Sequence, residues 1–373
     1  MEAEDDRIPV TLLTGFLGAG KTTLLNNLIR DPHAGKIAVI MNEFGDVGLD
    51  HDLIEEITED IVLMHAGCLC CSIRGDLAKT MILLLSRKKR GELDFDRVVI
   101  ETTGIADPGP ILNTMVTDRL IAPNFRADGV VTLADAATGP ATLDRQSEAV
   151  HQIAIADMIV LTKTDLVASD DLERFVERLD GINPTAQRIT AEHGRLSTGR
   201  LFGLSAMRKS ATPADVAGWL GTPRLGDDVS TEMTMPGPTN DTPEPERPEE
   251  AHHRHQIESA SIEVAEPIPA DVFDFWLDTL IALKGPDVLR MKGIVHVEGV
   301  DLPFVFHGVQ HIFDTPVPLK SWSGKDTISR VVVIARDVKK GDLEASLDVL
   351  RLRPKNASLP AAGMMADTIE MPF

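Results

Sequence analysis

The run Gly15-Phe16-Leu17-Gly18-Ala19-Gly20-Lys21-Thr22 constrains this chain more than any other feature. It completes a G-x-x-x-x-G-K-[ST] string, directly after the apolar run Ile8 to Leu13 and at the start of a helical pattern, Thr22 to Ile29. Glycines let such a turn bend until its backbone N–H groups surround a β-phosphate at the helix N-terminus. Lys21 then reaches the β and γ oxygens, and Thr22 offers its hydroxyl to Mg²⁺. Gly15, Gly18, Ala19, Gly20, Lys21, Thr22 and Thr23 are the expected phosphate cradle.

A strand feeding a helix through this loop calls for an α/β fold, and the next residues continue the pattern. Lys36 to Met41, Arg97 to Ile100, Gly129 to Leu133 and Met158 to Leu161 are short runs rich in Val and Ile, as strands buried on both faces are. Helical stretches at Leu77 to Arg90 and Asp170 to Leu179 alternate with them, which predicts a largely parallel sheet over residues 8–210. Residues 211–256 then turn to Pro, Gly, Thr, Asp and Glu, a composition that buries too little apolar area to order itself and reads as a linker. Beyond it, Ser259 to Val264 and Ile328 to Ala335 read as strands, Pro269 to Leu283 and Leu343 to Leu350 as helices. Leu289 to Val297 and Leu302 to Phe313 form a hairpin around Glu298-Gly299-Val300-Asp301. This second, smaller α/β unit spans 257–353 with mixed or antiparallel strands, and 354–373 is an aperiodic tail.

Charge and cysteine usage narrow the function classes. Across 373 residues, 37 basic against 58 acidic side chains leave a formal charge of −21, which gives no support to nucleic-acid binding. The one basic run, Arg87 to Arg90, closes a helical stretch, where cations suit the helix C-terminus. The acidic opening Met1 to Asp6 is unlike a secretory signal and no apolar stretch approaches membrane-spanning length, so no membrane partner is expected and a cytoplasmic location is. All three cysteines fall in Cys68-Leu69-Cys70-Cys71. That rules out a disulfide framework and points to a metal or redox site.

Two further strand ends carry chemistry. Arg97 to Ile100 runs into Glu101-Thr102-Thr103-Gly104, which places Glu101 at the carboxyl edge of the sheet as a Mg²⁺-side acid and Gly104 where its N–H can meet a γ-phosphate. Met158 to Leu161 runs into Thr162-Lys163-Thr164-Asp165. There the Asp165 carboxylate would accept the N1–H and exocyclic N–H of guanine, donors that adenine lacks, while the stem of Lys163 lies over the base.

Taken together, Gly15 to Thr23, Asn42-Glu43-Phe44-Gly45, Gly67-Cys68-Leu69-Cys70-Cys71, Glu101 to Gly104 and Thr162 to Asp165 resemble the CobW-like P-loop GTPases. Arg290-Met291-Lys292-Gly293-Ile294 looks like the entry to that family's C-terminal domain. The resemblance implies a GTPase domain, then a CobW-like C-terminal domain. It implies a GTP-dependent metallochaperone or metal insertase for a client metalloprotein, with C-x-C-C as the metal element and zinc or cobalt as cargo. It also suggests that Glu43 faces the transported metal, whereas position alone allows Glu43 or Asp46 to serve Mg²⁺ or the hydrolytic water.

Thiolate chemistry agrees: three sulfurs from one loop leave a tetrahedral Zn²⁺ or Co²⁺ one exchangeable position. Joint ligation by Cys68, Cys70 and Cys71 requires a turn, because an extended segment would point Cys71 away from the other two. His252, His253 and His255 are further candidate ligands on the linker; His51 and His65 read as plain polar residues. His307 and His311, if on one strand, stand roughly 13 Å apart and cannot share an ion. A homo-oligomer is compatible with the sequence. A regulatory GTP switch holding structural zinc is the alternative reading.

Overall fold

The computed structural model describes residues 6–42, 61–65, 73–208, 211–221, 257–310, 312–313, 315–320, 322 and 326–354. The candidate ligands and switch residues Glu43, Asp46, Cys68, Cys70, Cys71, His252, His253 and His255, with His51 and His311, lie outside them, as does nearly all of the 354–373 tail.

The first half is built on seven strands: β1 (Ile8–Gly15), β2 (Ile37–Asn42), β3 (Ile61–His65), β4 (Arg97–Thr102), β5 (Phe125–Asp135), β6 (Met158–Thr162) and β7 (Gln187–Thr190). They form one sheet in the order β3-β2-β4-β1-β5-β6-β7, parallel at every pairing. Helices α1 (Lys21–Arg30), α2 (Ile73–Lys89), α3 (Gly109–Thr117), α4 (Gly139–Arg145), α5 (Ser147–Ala154) and α6 (Ser169–Ile182) cover both faces, and this double burial explains the continuous apolar runs. Val10 and Leu12 of β1 pack with Met81, Leu84, Ile111 and Met115, while Leu13 packs on the other face with Leu24, Leu25 and Leu28 of α1. Phe175 and Leu179 of α6 close over Ile159 and Ile153. Of the apolar run at 81–85, Met81 and Leu84 are buried in the core and Leu83 is exposed.

A second sheet follows. Its strands are β8 (Ile257–Val264), β9 (Val288–Val295), β10 (Phe304–Val309), β11 (Ile312–Phe313), β12 (Val317–Pro318) and β13 (Ser329–Arg336). The order is β11-β10-β9-β13-β8 with β12 beside β10, antiparallel throughout. The β9–β10 hairpin expected around Glu298 to Asp301 is present, with Val295 opposite Phe304. Alternation divides the faces. Met291, Val295, Phe306, Val331 and Val333 pack under α8 (Ala270–Lys284) and α9 (Lys340–Asp348), where the Trp276 indole N–H donates to Ser346 Oγ at 3.2 Å. On the other face Val309 and Ile334, with Leu289 at the register irregularity between β9 and β13, join Ile111, Leu112, Met115 and Ile155 of the first half in one apolar cluster.

One helix corrects the linker expectation. Pro213–Leu220 forms α7 inside the segment whose composition suggested disorder. Thr212 and Asp215 make a reciprocal capping box with Pro213 in the first turn, and Val216, Trp219 and Leu220 give the helix an apolar stripe. That stripe packs on Ile294, Val305 and Leu319 of the second sheet.

The same face of the second sheet carries two buried cations. Arg290 and Lys292 alternate with Met291, so both project toward the first half. Arg290 donates to the Ile155 carbonyl and to Asp157, which immediately precedes β6. Lys292 Nζ lies 3.1 Å from Asp157 Oδ1 and donates to the Trp219 carbonyl at 2.9 Å. The other Asp157 oxygen accepts the Val130 N–H at 3.0 Å. Burial works against a charged Asp157, but Arg290, Lys292, His307 and the Val130 N–H hold its carboxyl well below the usual carboxylate range. For Lys292, burial dominates and lowers the ammonium to about 7, with Asp157 opposing and Arg290 assisting that fall. His307 sits in β10 with its ring edge-on to Trp219 at 6.0 Å, a packing role. None of the described helices is long and apolar enough to cross a membrane.

Candidate nucleotide site

Four adjacent strands, β4, β1, β5 and β6, bring their carboxyl ends together at the point where the strand order runs outward in both directions, the place where open α/β sheets bind ligands. Every described candidate residue falls there. The loop after β1 bends through Gly15, Gly18 and Gly20, whose φ values are 140°, 76° and 97°, and Gly20 caps α1. Lys21 folds across the loop, donating to the carbonyls of Gly15 at 2.9 Å and Phe16 at 3.3 Å. Its neighbour Thr22 donates through Oγ1 to Glu101 Oε1 at 3.3 Å. Glu101 is 4% exposed and pairs in register with Leu13, so the strand end delivers its carboxylate directly beside the loop. One residue on, the Thr102 hydroxyl donates to that of Thr14 at 2.8 Å, fastening the two strand ends together.

Gly104 lies against the phosphate loop. A Cβ there would come within 2.6 Å of the Leu17 backbone nitrogen, so only glycine permits this approach. The Gln152 side chain, from α5, holds the loop from behind: its Nε2 donates to the Gly104 carbonyl at 3.2 Å and to the Ala106 carbonyl at 3.0 Å.

The Thr162 to Asp165 element closes the other side. Thr162 Oγ1 donates to the Ala19 carbonyl at 2.9 Å, tying this strand end to the phosphate loop. Lys163 takes a left-handed conformation, φ 54°, and its ammonium reaches the Gly18 carbonyl at 2.9 Å and Asp135 Oδ2 at 2.7 Å. Asp165, in the short 3₁₀ turn Thr164–Leu166, is exposed. Asp135 ends β5. Burial raises its carboxyl, but the Lys163 ammonium and the donors of Thr138 and Ala137 outweigh that and hold it below its ordinary value.

Sequence reasoning missed Asp135 and Gln152. Asp135 carried a usable signal, since an acid at the carboxyl edge of a buried strand was the argument that found Glu101. Gln152 carried none, being one polar residue within a short helix.

The nucleotide-binding domain described as CobW/HypB/UreG matches residues 9–190, and the domain described as cobalamin synthesis protein CobW C-terminal matches 257–351. The zinc chaperone YjiA of Escherichia coli is 32% identical over 344 residues, covering 92% of this chain and 99% of that protein. The chain belongs to the CobW/HypB/UreG family. It is a GTP-binding P-loop GTPase. Among other CobW-family relatives, the zinc-regulated GTPase metalloprotein activator 1 of Schizosaccharomyces pombe is 39% identical over 198 residues, 51% of this chain and 47% of that protein. The crystal structure of Zn(II)-bound YjiA GTPase from E. coli superposes with a TM-score of 0.66 at 28% identity, covering 93% of this chain and 99% of that one. This CobW-family fold therefore extends through both halves of the chain.

Proposed function

We propose that this GTPase is a metallochaperone that couples GTP hydrolysis to delivery of zinc, with cobalt the alternative cargo, to a client metalloprotein. The observation that carries the reading is likeness over both domains, at 32% identity, to a protein named zinc chaperone. The site geometry supports the nucleotide half. The loop from Gly15 to Thr23 surrounds the phosphates, Lys21 swings from the Gly15 carbonyl to the β and γ oxygens, and Gly104 meets the γ-phosphate. Thr162 and Lys163 brace the loop while the Asp165 carboxylate accepts the guanine N–H groups. Thr22 and Glu101 bring a hydroxyl and a carboxylate together within 3.3 Å, a hard oxygen pair that fits Mg²⁺, which when bound neutralises charge on the phosphates. Glu43 or Asp46 serves Mg²⁺ or the hydrolytic water.

The cargo half rests on thiol chemistry. Cys68, Cys70 and Cys71 supply soft ligands, with Glu43 and the His252, His253 and His255 tract as further donors to the transported ion. The nucleotide state gates the metal affinity of the thiols; by linkage, bound metal changes nucleotide affinity by the same factor.

Steady-state GTP hydrolysis by metal-free protein, with Zn²⁺ or Co²⁺ titrated in beside a Cys68/Cys70/Cys71→Ser variant, tests the coupling. The expected result is a metal-dependent rate that vanishes in the variant. Equal rates under every condition detach the thiols from GTP and favour a regulatory switch with structural zinc.

A further inference from the structure

Gln152 is 1% exposed, yet nothing in the core occupies its amide. Both its donor contacts go to carbonyls of the loop that carries Gly104, and its Oε1 meets no donor among the described residues. Burying an amide with one end unmatched is unfavourable. The placement is therefore not accounted for by packing, and what it achieves is to fix the carbonyls of Gly104 and Ala106, the residues on either side of Ile105.

The helix that carries Gln152 is also where the second sheet docks. His151, its immediate neighbour, accepts from Arg336 of β13 at 3.2 Å, and the Ile155 carbonyl at the helix end accepts from Arg290 of β9. The Gly104 loop has a second tie to the same sheet, since Asp107 Oδ2 accepts from Gln310 Nε2 at 3.3 Å while Asp107 Oδ1 accepts the Gly109 N–H at the start of α3. One short helix thus links the phosphate-side loop to the C-terminal domain through direct hydrogen bonds on both sides.

We infer that Gln152 is a positioning residue for GTP hydrolysis, through which the docked C-terminal sheet sets the geometry of the Gly104 loop. The inference rests on the reading of Gly104 as the γ-phosphate contact. Because both Gln152 donor contacts go to the Gly104 loop, its removal is expected to bear on GTP and to leave GDP almost unaffected.

The test compares Gln152→Met, which keeps the volume and removes the donor, with Arg336→Met and the double variant, in the full-length protein. Thermal melting with GDP bound establishes that each is folded; should Gln152→Met fail to melt cooperatively, Gln152→Asn, whose nitrogen falls short of both carbonyls, replaces it. The expected result is a kcat at least tenfold lower for Gln152→Met with GDP Kd within twofold of the parent. Arg336→Met should lower kcat severalfold alone and add nothing in the Gln152→Met background. A folded Gln152 variant with unchanged kcat overturns the inference, as does a parallel fall in GTP and GDP affinity, the signature of a merely structural role. Additive effects of the two substitutions overturn the link to the C-terminal sheet. Gly104→Ala separates the two levels: if it leaves the GTP-to-GDP affinity ratio unchanged, the γ-phosphate reading itself has failed, whereas a changed ratio with an unaffected Gln152 variant sinks only the positioning role.

Discussion

Asp135 Oδ2 lies 2.7 Å from Lys163 Nζ, across the register pair that joins the ends of β5 and β6. Together with the 2.9 Å bond to the Gly18 carbonyl, this contact fixes a lysine that is 40% exposed. Asp135→Asn keeps an Oδ1 acceptor for the Ala137 and Thr138 N–H groups and removes the charge. The Lys163 anchor weakens by about 1 kcal/mol, so GTP and GDP Kd values both rise roughly fivefold by equilibrium titration. An effect on GTP alone would assign Asp135 to the phosphate side.

Asp165 faces solvent at the neighbouring strand end, ready for a ligand's edge. Exchanging its carboxylate for an amide in Asp165→Asn removes a charged acceptor and presents a donor to the exocyclic N–H of guanine. GTP affinity should fall about 10- to 100-fold. Xanthosine triphosphate, with oxygen in place of that amine, should gain relative to GTP. Competition against a fluorescent guanine nucleotide reads both changes.

Lys292 makes stability pH-dependent in a definite direction. Its ammonium is lowered from an ordinary 10.5 to about 7 by burial at the domain junction. Between those values the unfolded chain binds a proton that the folded chain does not, so the Lys292 contribution to stability rises with pH from 7 toward 10.5 and is constant below 7. Chemical denaturation at pH 7 and pH 9 should show the parent gaining over Lys292→Met as pH rises. A constant difference between the two proteins would mean that Lys292 stays charged in the folded state.

Gly293 sits directly opposite Phe306 in the β9–β10 ladder, where a Cβ would come within 2.3 Å of the phenyl ring and 3.0 Å of the Arg330 carbonyl. Overpacking of this kind costs about 1–3 kcal/mol. Gly293→Ala should lower the melting temperature, and Phe306→Leu in the same chain should recover part of the loss.

The parts of the site legible in the sequence are those whose chemistry is consecutive. The phosphate loop, Glu101 with Gly104, and Thr162 to Asp165 each sit on four to eight adjoining residues with a strand before them, so local pattern alone places them at one sheet edge. The two-domain α/β architecture and the C-terminal hairpin were legible for the same reason. Asp135, Gln152 and Asp157 were not, because their roles exist only once distant strands are in register: Asp157 meets Arg290 across 133 positions of chain. Arg290 and Lys292 mislead more actively, since alternation with Met291 suggests a solvated face while both are in fact buried against a single carboxylate. Helix α7 was hidden by the Pro- and Gly-rich composition around it, although Thr212-Pro213 followed by Asp215 is a helix-start signal in its own right.

The docking of α7 changes what it means to cut this chain in two. Because α7 rests on the second sheet and β8 begins that sheet, the polypeptide has already reached the C-terminal domain at residue 220, before the acidic stretch begins, and residue 257 belongs to the same body. A protease nick anywhere in 222–256 therefore severs the backbone without severing the protein: the amino-terminal fragment keeps its grip through Val216, Trp219 and Leu220. The two pieces should co-elute, and separately expressed 1–221 and 257–373 fragments are a natural pair for reconstitution.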